Sequence, residues 1–266
     1  MNITEYIKKN EYEISKNLLN TLISAFFYNK DKFNYELNEK EIKFLDEKIK
    51  EIKSGRPIQY VIGNVDFYGF IIDVNESVLI PRFETETLVE KTVKYINEMF
   101  DNKVLIADLG TGSGCIAIAL KKLIDCNVDA VDISPSSLNV AKHNAKKNEV
   151  EINFLEGDML KPLTKKYDCL ISNPPYIDYD EEIMDIVKDY EPNIALYAPD
   201  SGMYFYKEII KNAKNYIKKK SIIAFEIGYM QGKPLTEYAK IYFPNAKIIV
   251  ENDLSGKNRY LFIINN

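Results

Sequence analysis

The sequence predicts an α/β protein: a mostly parallel β-sheet whose last strand is antiparallel, preceded by a small N-terminal helical domain and a linking β-hairpin. From Lys103 onward, short apolar runs alternate with stretches of helical periodicity, which is the pattern of a parallel sheet with helices on both faces. The first 62 residues show helical spacing and almost no strand pattern. Two apolar runs close together near the C-terminus predict the antiparallel pair.

Composition narrows the class of protein. Of the 266 residues, 46% are hydrophobic and 28% are charged, which is ordinary for a soluble globular protein. No apolar run approaches the roughly 20 residues that a membrane span needs. The start of the chain, Met1 to Glu5, lacks the features of a secretory signal. We therefore expect a cytoplasmic protein with no membrane partner.

Charge and residue content bear on ligands. The net charge of −5 argues weakly against a nucleic-acid partner, because phosphate binding calls for basic surfaces. Cys115, Cys126 and Cys169 form no metal-like pair, so we expect buried reduced thiols and no metal site. The single histidine, His143, stands among Lys and Asn on a predicted helix and is interpreted as a solvated surface residue.

The helical domain is predicted over residues 1–62. Thr4 is in position to cap a helix that runs to about Tyr28. Asn38 and Glu41 have the spacing of a capping box, which predicts the start of a second helix.

The β-hairpin linker is predicted over residues 63–82, because apolar and polar residues alternate around Tyr68-Gly69. The next helix begins beside Arg82 and Glu84. Acidic residues are favoured in the first turn of a helix, which explains Glu84 but not Arg82. Because Arg82 has no such explanation, we expect it to support the functional site, together with the neighbouring Glu84.

The sheet domain is predicted over residues 83–266. Its predicted strands are 104–109, 128–133, 152–155, 168–172, 222–227, 247–250 and 259–264, and the predicted helices between them include 115–124, 136–147, 203–218 and 235–243. Residues 178–200 have weak periodicity and many acids and prolines, and are interpreted as a lid or a partner loop.

The segment Asn173-Pro174-Pro175-Tyr176 follows one of these strands. Two consecutive prolines cannot continue a sheet ladder, and each restricts the residue before it, so the strand stops at Asn173. In open α/β sheets ligands bind at this edge. A rigid amide beside a rigid carbonyl suits the acceptance of hydrogen bonds from a planar NH2 group, although the same residues also favour a simple turn.

A second set of residues suggests a nucleoside ligand. The turn Gly110-Thr111-Gly112-Ser113-Gly114 follows the first strand, but its third glycine is displaced from the dinucleotide pattern and no phosphate-loop ending follows. Asp132 ends the second strand about 20 residues on, where an acid can hold two ribose hydroxyls. Asp158 follows the third strand and can accept from an adenine amino group. Helix caps and turn acids explain any one of these features, whereas all of them together fit S-adenosylmethionine best.

Six segments together resemble a known family. They are Arg56 to Gly63, Ile80 to Glu86, Asp108 to Gly114, Val131 to Ser134, Ser172 to Ile177 and Glu226 to Gly228. From about Gly55 onward the chain resembles the class I S-adenosylmethionine-dependent methyltransferases, with a Rossmann-like sheet, that modify a glutamine of peptide chain release factors (the PrmC/HemK family). Asn-Pro-Pro-Tyr alone is shared with adenine and cytosine amino-methyltransferases of nucleic acids.

The resemblance implies roles for particular residues. It implies that residues 83–266 form the methyltransferase domain, and we expect the helical residues 1–62, which lie mostly outside the resemblance, to recognise the substrate. The implied cofactor-binding residues are Gly110, Thr111, Gly112, Ser113, Gly114, Asp132, Asp158, Met159 and Asn173. The implied substrate-binding residues are Asn173, Pro174, Pro175 and Tyr176, which receive the glutamine of a Gly-Gly-Gln loop, and Asn173, Pro174 and Tyr176 are the expected catalytic residues.

Two departures from the family pattern and three rival functions accompany this expectation. Phe83 stands where the family usually has proline, and Met159 where some relatives place an aromatic residue near the adenine. A nucleic-acid amino-methyltransferase would use the same acceptor geometry on a flipped base, but the acidic charge disfavours it. A nicotinamide-dependent oxidoreductase is disfavoured by the missing third glycine. A non-catalytic cofactor-binding module is disfavoured by the intact Asn173.

Overall fold

The computed structural model describes residues 1–266 and divides into two compact units. The first unit comprises Met1–Asn64 and Ile183–Tyr190, and the second comprises Val65–Glu182 and Glu191–Asn266. The predicted divisions at residues 62 and 82, and the roles assigned to the three segments, stay predictions.

The helices and strands alternate through most of the chain. In order they are α1 (Ile3–Asn10), α2 (Lys16–Phe27), α3 (Glu39–Lys53), α4 (Ile58–Ile62), β1 (Asn64–Phe67), β2 (Phe70–Asp73), α5 (Phe83–Met99), β3 (Val104–Leu109), α6 (Cys115–Leu123), β4 (Cys126–Asp132), α7 (Pro135–Lys147), β5 (Asn153–Glu156), β6 (Tyr167–Ser172), α8 (Asp185–Tyr190), α9 (Asn193–Leu196), α10 (Tyr204–Asn212), β7 (Ile217–Glu226), α11 (Gly232–Tyr242), β8 (Lys247–Asn252) and β9 (Asn258–Asn265).

The first unit begins with two helices where the sequence predicts one. The prediction of a single helix from Thr4 to about Tyr28 is wrong, because α1 ends at Asn10 and a separate helix, α2, begins at Lys16. The Ser15 hydroxyl accepts the backbone N–H of Leu18 at 3.4 Å, and this satisfies one of the donors that a new helix leaves free. The side chain of Asn2, not that of Thr4, caps α1.

The third helix begins as predicted. Asn38 caps α3, and the reciprocal hydrogen bonds between Asn38 and Glu41 form the expected capping box. Buried apolar side chains of α1, α2 and α3 form the core of this unit; they include Ile3, Tyr6, Leu19, Leu22 and Leu45.

The second unit is built on a sheet of seven strands in the order β5-β4-β3-β6-β7-β9-β8. All neighbouring strands pair in parallel except β9, which is antiparallel to both β7 and β8. This arrangement confirms the predicted fold class. The predicted hairpin is also present as β1 and β2, with Tyr68 (φ 56°) and Gly69 (φ 80°) in the left-handed turn that favours close strand reversal.

Strand register brings the functional segments together. Leu109 at the end of β3 lies opposite Val131 in β4 and Ser172 in β6. The residues that follow these three, including Asp132 and Asn173, therefore emerge at one edge of the sheet. The strand order reverses direction between β3 and β6, and such a switch point opens a crevice for ligands.

One predicted helix extends too far and includes the first residues of a strand. The helix predicted over 203–218 ends as α10 at Asn212, and after a short 3-10 turn β7 begins at Ile217, not near Ile222. Residues Lys218 to Lys220, at the start of β7, are three consecutive exposed lysines. Their sequence has no apolar alternation, so it did not indicate a strand. Residues 178–200 contain two short helices, α8 and α9.

Other expectations concern single side chains. The three cysteines are buried and free. The side chain of His143 is 64% exposed and lies 2.9 Å from Asp73. No helix of the structure has both the length and the apolar character to cross a bilayer.

Candidate active site

An open cavity with about 980 Å³ of empty space lies at the carboxyl ends of β3, β4 and β6. Nine of the predicted site residues line it: Gly110, Thr111, Gly112, Ser113, Asp132, Asp158, Met159, Asn173 and Pro175. The other five, Gly114, Pro174, Tyr176, Arg82 and Glu84, are not among its lining residues. The structure thus brings most of the predicted cofactor residues to the same wall as Asn173.

The glycine turn forms part of that wall. Gly110, Gly112 and Gly114 have φ values of 71°, 55° and 83°, which favour glycine over residues with a Cβ. A Cβ added to Gly112 would meet no protein atom within 4 Å, whereas one added to Gly114 would lie 3.1 Å from Cβ of Ala141. Gly112 therefore leaves room for a ligand, while Gly114 allows α6 and α7 to approach each other.

Asp132 is held in place by backbone groups. Its carboxylate accepts hydrogen bonds from the backbone N–H of Gly112 at 2.8 Å and of Ser134 at 2.9 Å. Burial raises the pKa of Asp132 above its usual value. Each carboxylate oxygen has a further lone pair, so Asp132 can still accept from a ligand hydroxyl.

Asp108, to which the sequence prediction assigned no role, supports the glycine turn from beneath the cavity wall through its contact with Thr111. It lies near the end of β3, is fully buried, and accepts the Thr111 hydroxyl at 2.6 Å. Burial raises the pKa of Asp108 to about 7. Its other oxygen, Oδ1, has no hydrogen-bond partner. The sequence signal was an acid two residues before the first glycine.

Asp158 and Met159 border the cavity from the loop after β5. Asp158 forms an exposed ion pair with Lys161 at 2.6 Å. Met159 has a φ of 47°, and its Cε would lie 3.9 Å from a Cβ on Gly110. The flexible thioether of Met159 is thus available to pack against a ring near the glycine turn.

Asn173 takes part in a buried chain of hydrogen bonds. Its Nδ2 donates to Oγ1 of Thr85 at 3.1 Å, and the Thr85 hydroxyl donates to Oε2 of Glu226 at 2.7 Å. The side-chain oxygen of Asn173, Oδ1, is buried and has no partner in the protein. A buried acceptor without a donor is rare because it costs about 1–3 kcal/mol. The arrangement is therefore suited to a donor supplied by a ligand.

The residues after Asn173 have different surroundings. Pro175 lines the cavity, whereas the Tyr176 side chain packs against the hydrophobic core, and burial raises its pKa. The backbone oxygen of Tyr176 accepts from Nε2 of Gln231 at 3.0 Å. The predicted contacts of Pro174 and Tyr176 with a substrate amide stay predictions.

Arg82 lies outside the cavity and braces the segment before α5. It forms an ion pair with Glu191, whose side chain is only 1% exposed and also accepts the backbone N–H of Ile80 at 3.0 Å. Glu191 was missed by sequence reasoning, because it is more than a hundred residues away and no motif marks it. Thr85 and Glu226 lay within the segments singled out, but nothing in the sequence connected them.

Similar proteins identify the family. A protein of Bacillus cereus named release factor glutamine methyltransferase is 41% identical over 234 residues, which cover 85% of this chain and 83% of that protein. The protein chain belongs to the release factor glutamine methyltransferase family. A family member from Fusobacterium nucleatum is 38% identical over 274 residues and covers 97% of this chain and 75% of its own. Residues 84–190 match the model of the methyltransferase small domain.

Solved structures resemble this chain in fold. The catalytic domain of human METTL16 in complex with an RNA hairpin superposes with a TM-score of 0.58 at 18% identity, covering 80% of this chain and 81% of that one. A 16S rRNA methyltransferase of T. thermophilus (RsmC), in complex with AdoMet and guanosine, gives a TM-score of 0.54 at 15% identity, covering 76% and 50%. At these identities the similarity establishes the fold alone.

Proposed function

We propose that this protein transfers a methyl group from S-adenosylmethionine to the side-chain amide nitrogen of the glutamine in the Gly-Gly-Gln motif of peptide chain release factors. The observation that carries the proposal is the buried, unpartnered Oδ1 of Asn173 beside the cavity. Such an acceptor fits one N–H of a carboxamide. Membership of the release factor glutamine methyltransferase family supports the same substrate.

The cavity residues fit the proposed cofactor. Gly112 leaves open space in which a ligand can approach the backbone, and a Cβ on Gly110 would meet only the flexible Met159 side chain, at 3.9 Å. Asp132 has lone pairs for the ribose hydroxyls, and Asp158 and Met159 border the region assigned to the adenine. When bound, S-adenosylmethionine supplies a methyl group activated by its positively charged sulfur.

The chain's own residues position the substrate amide. An amide nitrogen is a poor nucleophile, because its lone pair is delocalised into the carbonyl. Oδ1 of Asn173 and the backbone carbonyl of Pro174 accept its two N–H groups, which directs the lone pair and stabilises positive charge that develops on nitrogen. Tyr176 helps to exclude water from the amide. The helical residues 1–62 bind the release factor at a surface distant from its reacting Gly-Gly-Gln loop.

A transfer assay tests the proposal. The protein is incubated with methyl-labelled cofactor and a purified release factor, and in parallel with the same factor carrying a Gln-to-Ala change in its Gly-Gly-Gln loop. We expect label in the first factor and none in the second. Plasmid DNA in place of the factor tests the amino-methyltransferase alternative. Label in DNA, or equal labelling of both factors, would contradict the proposed substrate.

A further inference from the structure

We propose that Thr85 and Glu226 are positioning residues, which hold the Asn173 amide with its oxygen directed at the reacting nitrogen. The inference rests on the proposed function and extends it to two residues outside the predicted site: Thr85, which lines the cavity, and Glu226, which does not. Three separate elements supply the group: Thr85 from the first turn of α5, Asn173 after β6 and Glu226 at the end of β7.

The hydrogen bonds fix the polarity of the amide. A threonine hydroxyl carries one hydrogen, and that of Thr85 is donated to Glu226 at 2.7 Å. Toward Asn173 the same oxygen acts only as an acceptor, so the NH2 group of Asn173 must face it, at 3.1 Å. The other end of the amide, Oδ1, is then left as the acceptor without a partner.

Burial makes this orientation costly to change. Thr85 is 3% exposed and Glu226 is 2% exposed, so little of either side chain is open to a water molecule that could replace its partner. If the amide turned over, Oδ1 of Asn173 and Oγ1 of Thr85 would face each other with no hydrogen between them. Two NH2 groups, that of Asn173 and that of the substrate, would then meet in the site. Each of these clashes disfavours the inactive orientation.

The polarity depends on an ionised Glu226. A protonated carboxyl can donate to Thr85, which frees the threonine hydrogen to meet Oδ1 of Asn173 and allows the amide to turn. Burial raises the pKa of Glu226 to about 7, while the hydrogen bond from Thr85 opposes the rise. The charged and titratable groups that act on Glu226 come from every neighbouring element: Arg82, Glu84, Cys115, Tyr176, Tyr206, Arg259 and Tyr260.

The first test compares Thr85→Val with Thr85→Ser. Valine keeps the shape of threonine but removes the hydroxyl, whereas serine keeps the hydroxyl. With saturating cofactor, we expect Thr85→Val to lower kcat for the release factor about tenfold, with KM within about twofold, and Thr85→Ser to stay within about threefold of the unmodified protein. Calorimetry should give all three proteins the same cofactor affinity.

The second test follows pH. The kcat of the unmodified protein should fall as the pH drops below about 7, whereas Glu226→Gln should show a lower kcat without this fall. A nuclear magnetic resonance titration provides a readout without substrate. In protein with nitrogen-labelled asparagine, the Asn173 side-chain signals, assigned by their loss in Asn173→Ala, should shift with the titration of Glu226, and Thr85→Val should abolish that shift.

The outcomes separate the two proposals. If the unmodified protein methylates the release factor but Thr85→Val keeps its kcat and pH profile, Thr85 and Glu226 are not positioning residues. If the unmodified protein methylates no release factor, the proposed function fails, and the Asn173 titration still decides whether the hydrogen-bond chain acts as described. If the Asn173 side-chain signals of the unmodified protein do not shift with pH, the proposal is also overturned.

Discussion

At the scale of single residues, Asn173 shows what a local sequence can and cannot predict. The two prolines after it stop β6 and fix its backbone, and both effects can be read from residue types alone. The direction of its amide depends on Thr85, which is 88 residues away in the chain. The sequence therefore predicted an acceptor at this position, but not the contacts that keep the oxygen available.

Replacing Asn173 tests the acceptor directly. We expect Asn173→Ala to lower the rate of methyl transfer roughly a hundredfold, since loss of one acceptor in a preorganised site costs about 3 kcal/mol. Cofactor affinity, measured by calorimetry, should change little. Asn97→Ala, on the exposed face of α5, is the matched control and should keep full activity. Unchanged turnover in Asn173→Ala would remove the residue from the mechanism.

Asp132 is expected to act on the cofactor and not on the acceptor amide. Asp132→Ala removes a carboxylate that accepts from Gly112 and Ser134 and faces the cavity. Because hydrogen bonds to charged groups are worth about 1.5–3 kcal/mol, we expect the dissociation constant of the cofactor to rise at least about tenfold. Calorimetry measures this rise. Equal affinity in the variant and the unmodified protein would contradict the assignment.

At the scale of elements, the glycine turn depends on backbone conformation and on space. Gly112 has φ 55° and Gly256, in the turn between β8 and β9, has φ 77°; a Cβ at either position would meet no protein atom within 4 Å. Only Gly112 lines the cavity. Replacing either glycine by alanine would therefore strain the backbone. The new methyl group would point into the ligand cavity only at Gly112.

This pair gives a matched experiment. We expect Gly112→Ala and Gly256→Ala each to lower the free energy of unfolding by about 1 kcal/mol, because alanine is strained at positive φ. Only Gly112→Ala should also weaken cofactor binding, since its methyl group occupies the ligand space. Urea unfolding and calorimetry measure the two effects. An equal loss of cofactor affinity in both variants would indicate a general loss of structure.

Element boundaries show which sequence signals were sufficient. Strand β3 was predicted with the observed ends, because its apolar run is bounded by Lys103 and Gly110. The start of β7 was missed, since Lys218 to Lys220 carry no apolar alternation and the strand is recognised only by pairing, as between Ile217 and Tyr167. The split between α1 and α2 depends on the Ser15 cap, which the helical spacing around it concealed.

At the scale of the whole molecule, two buried acids link stability to pH. The pKa values of Asp108 and Glu226 are raised by burial to about 7, from ordinary values of 3.8 and 4.5. Between these limits the folded protein holds more protons than the unfolded chain. Its free energy of unfolding therefore falls as pH rises through this window, by at most about 1.4 kcal/mol per pH unit for each acid.

Glu226→Gln isolates one of these contributions. Glutamine does not titrate, so the variant should gain stability relative to the unmodified protein as the pH rises from about 5 to about 8. Urea unfolding at the two pH values measures the difference. A difference in free energy of unfolding that stays constant with pH would show that Glu226 is already ionised throughout this range.

The segment Ile183–Tyr190 has a consequence for how the chain can be cut. It lies late in the sequence but belongs to the same compact unit as Met1–Asn64, where the Tyr190 hydroxyl donates to the backbone oxygen of Ser54 at 2.7 Å. The polypeptide thus crosses between the units three times. Removing the first 64 residues would leave these eight residues without the neighbours that they pack against, so after proteolysis at Asn64 we expect the remaining fragment to be cut next within Ile183–Tyr190.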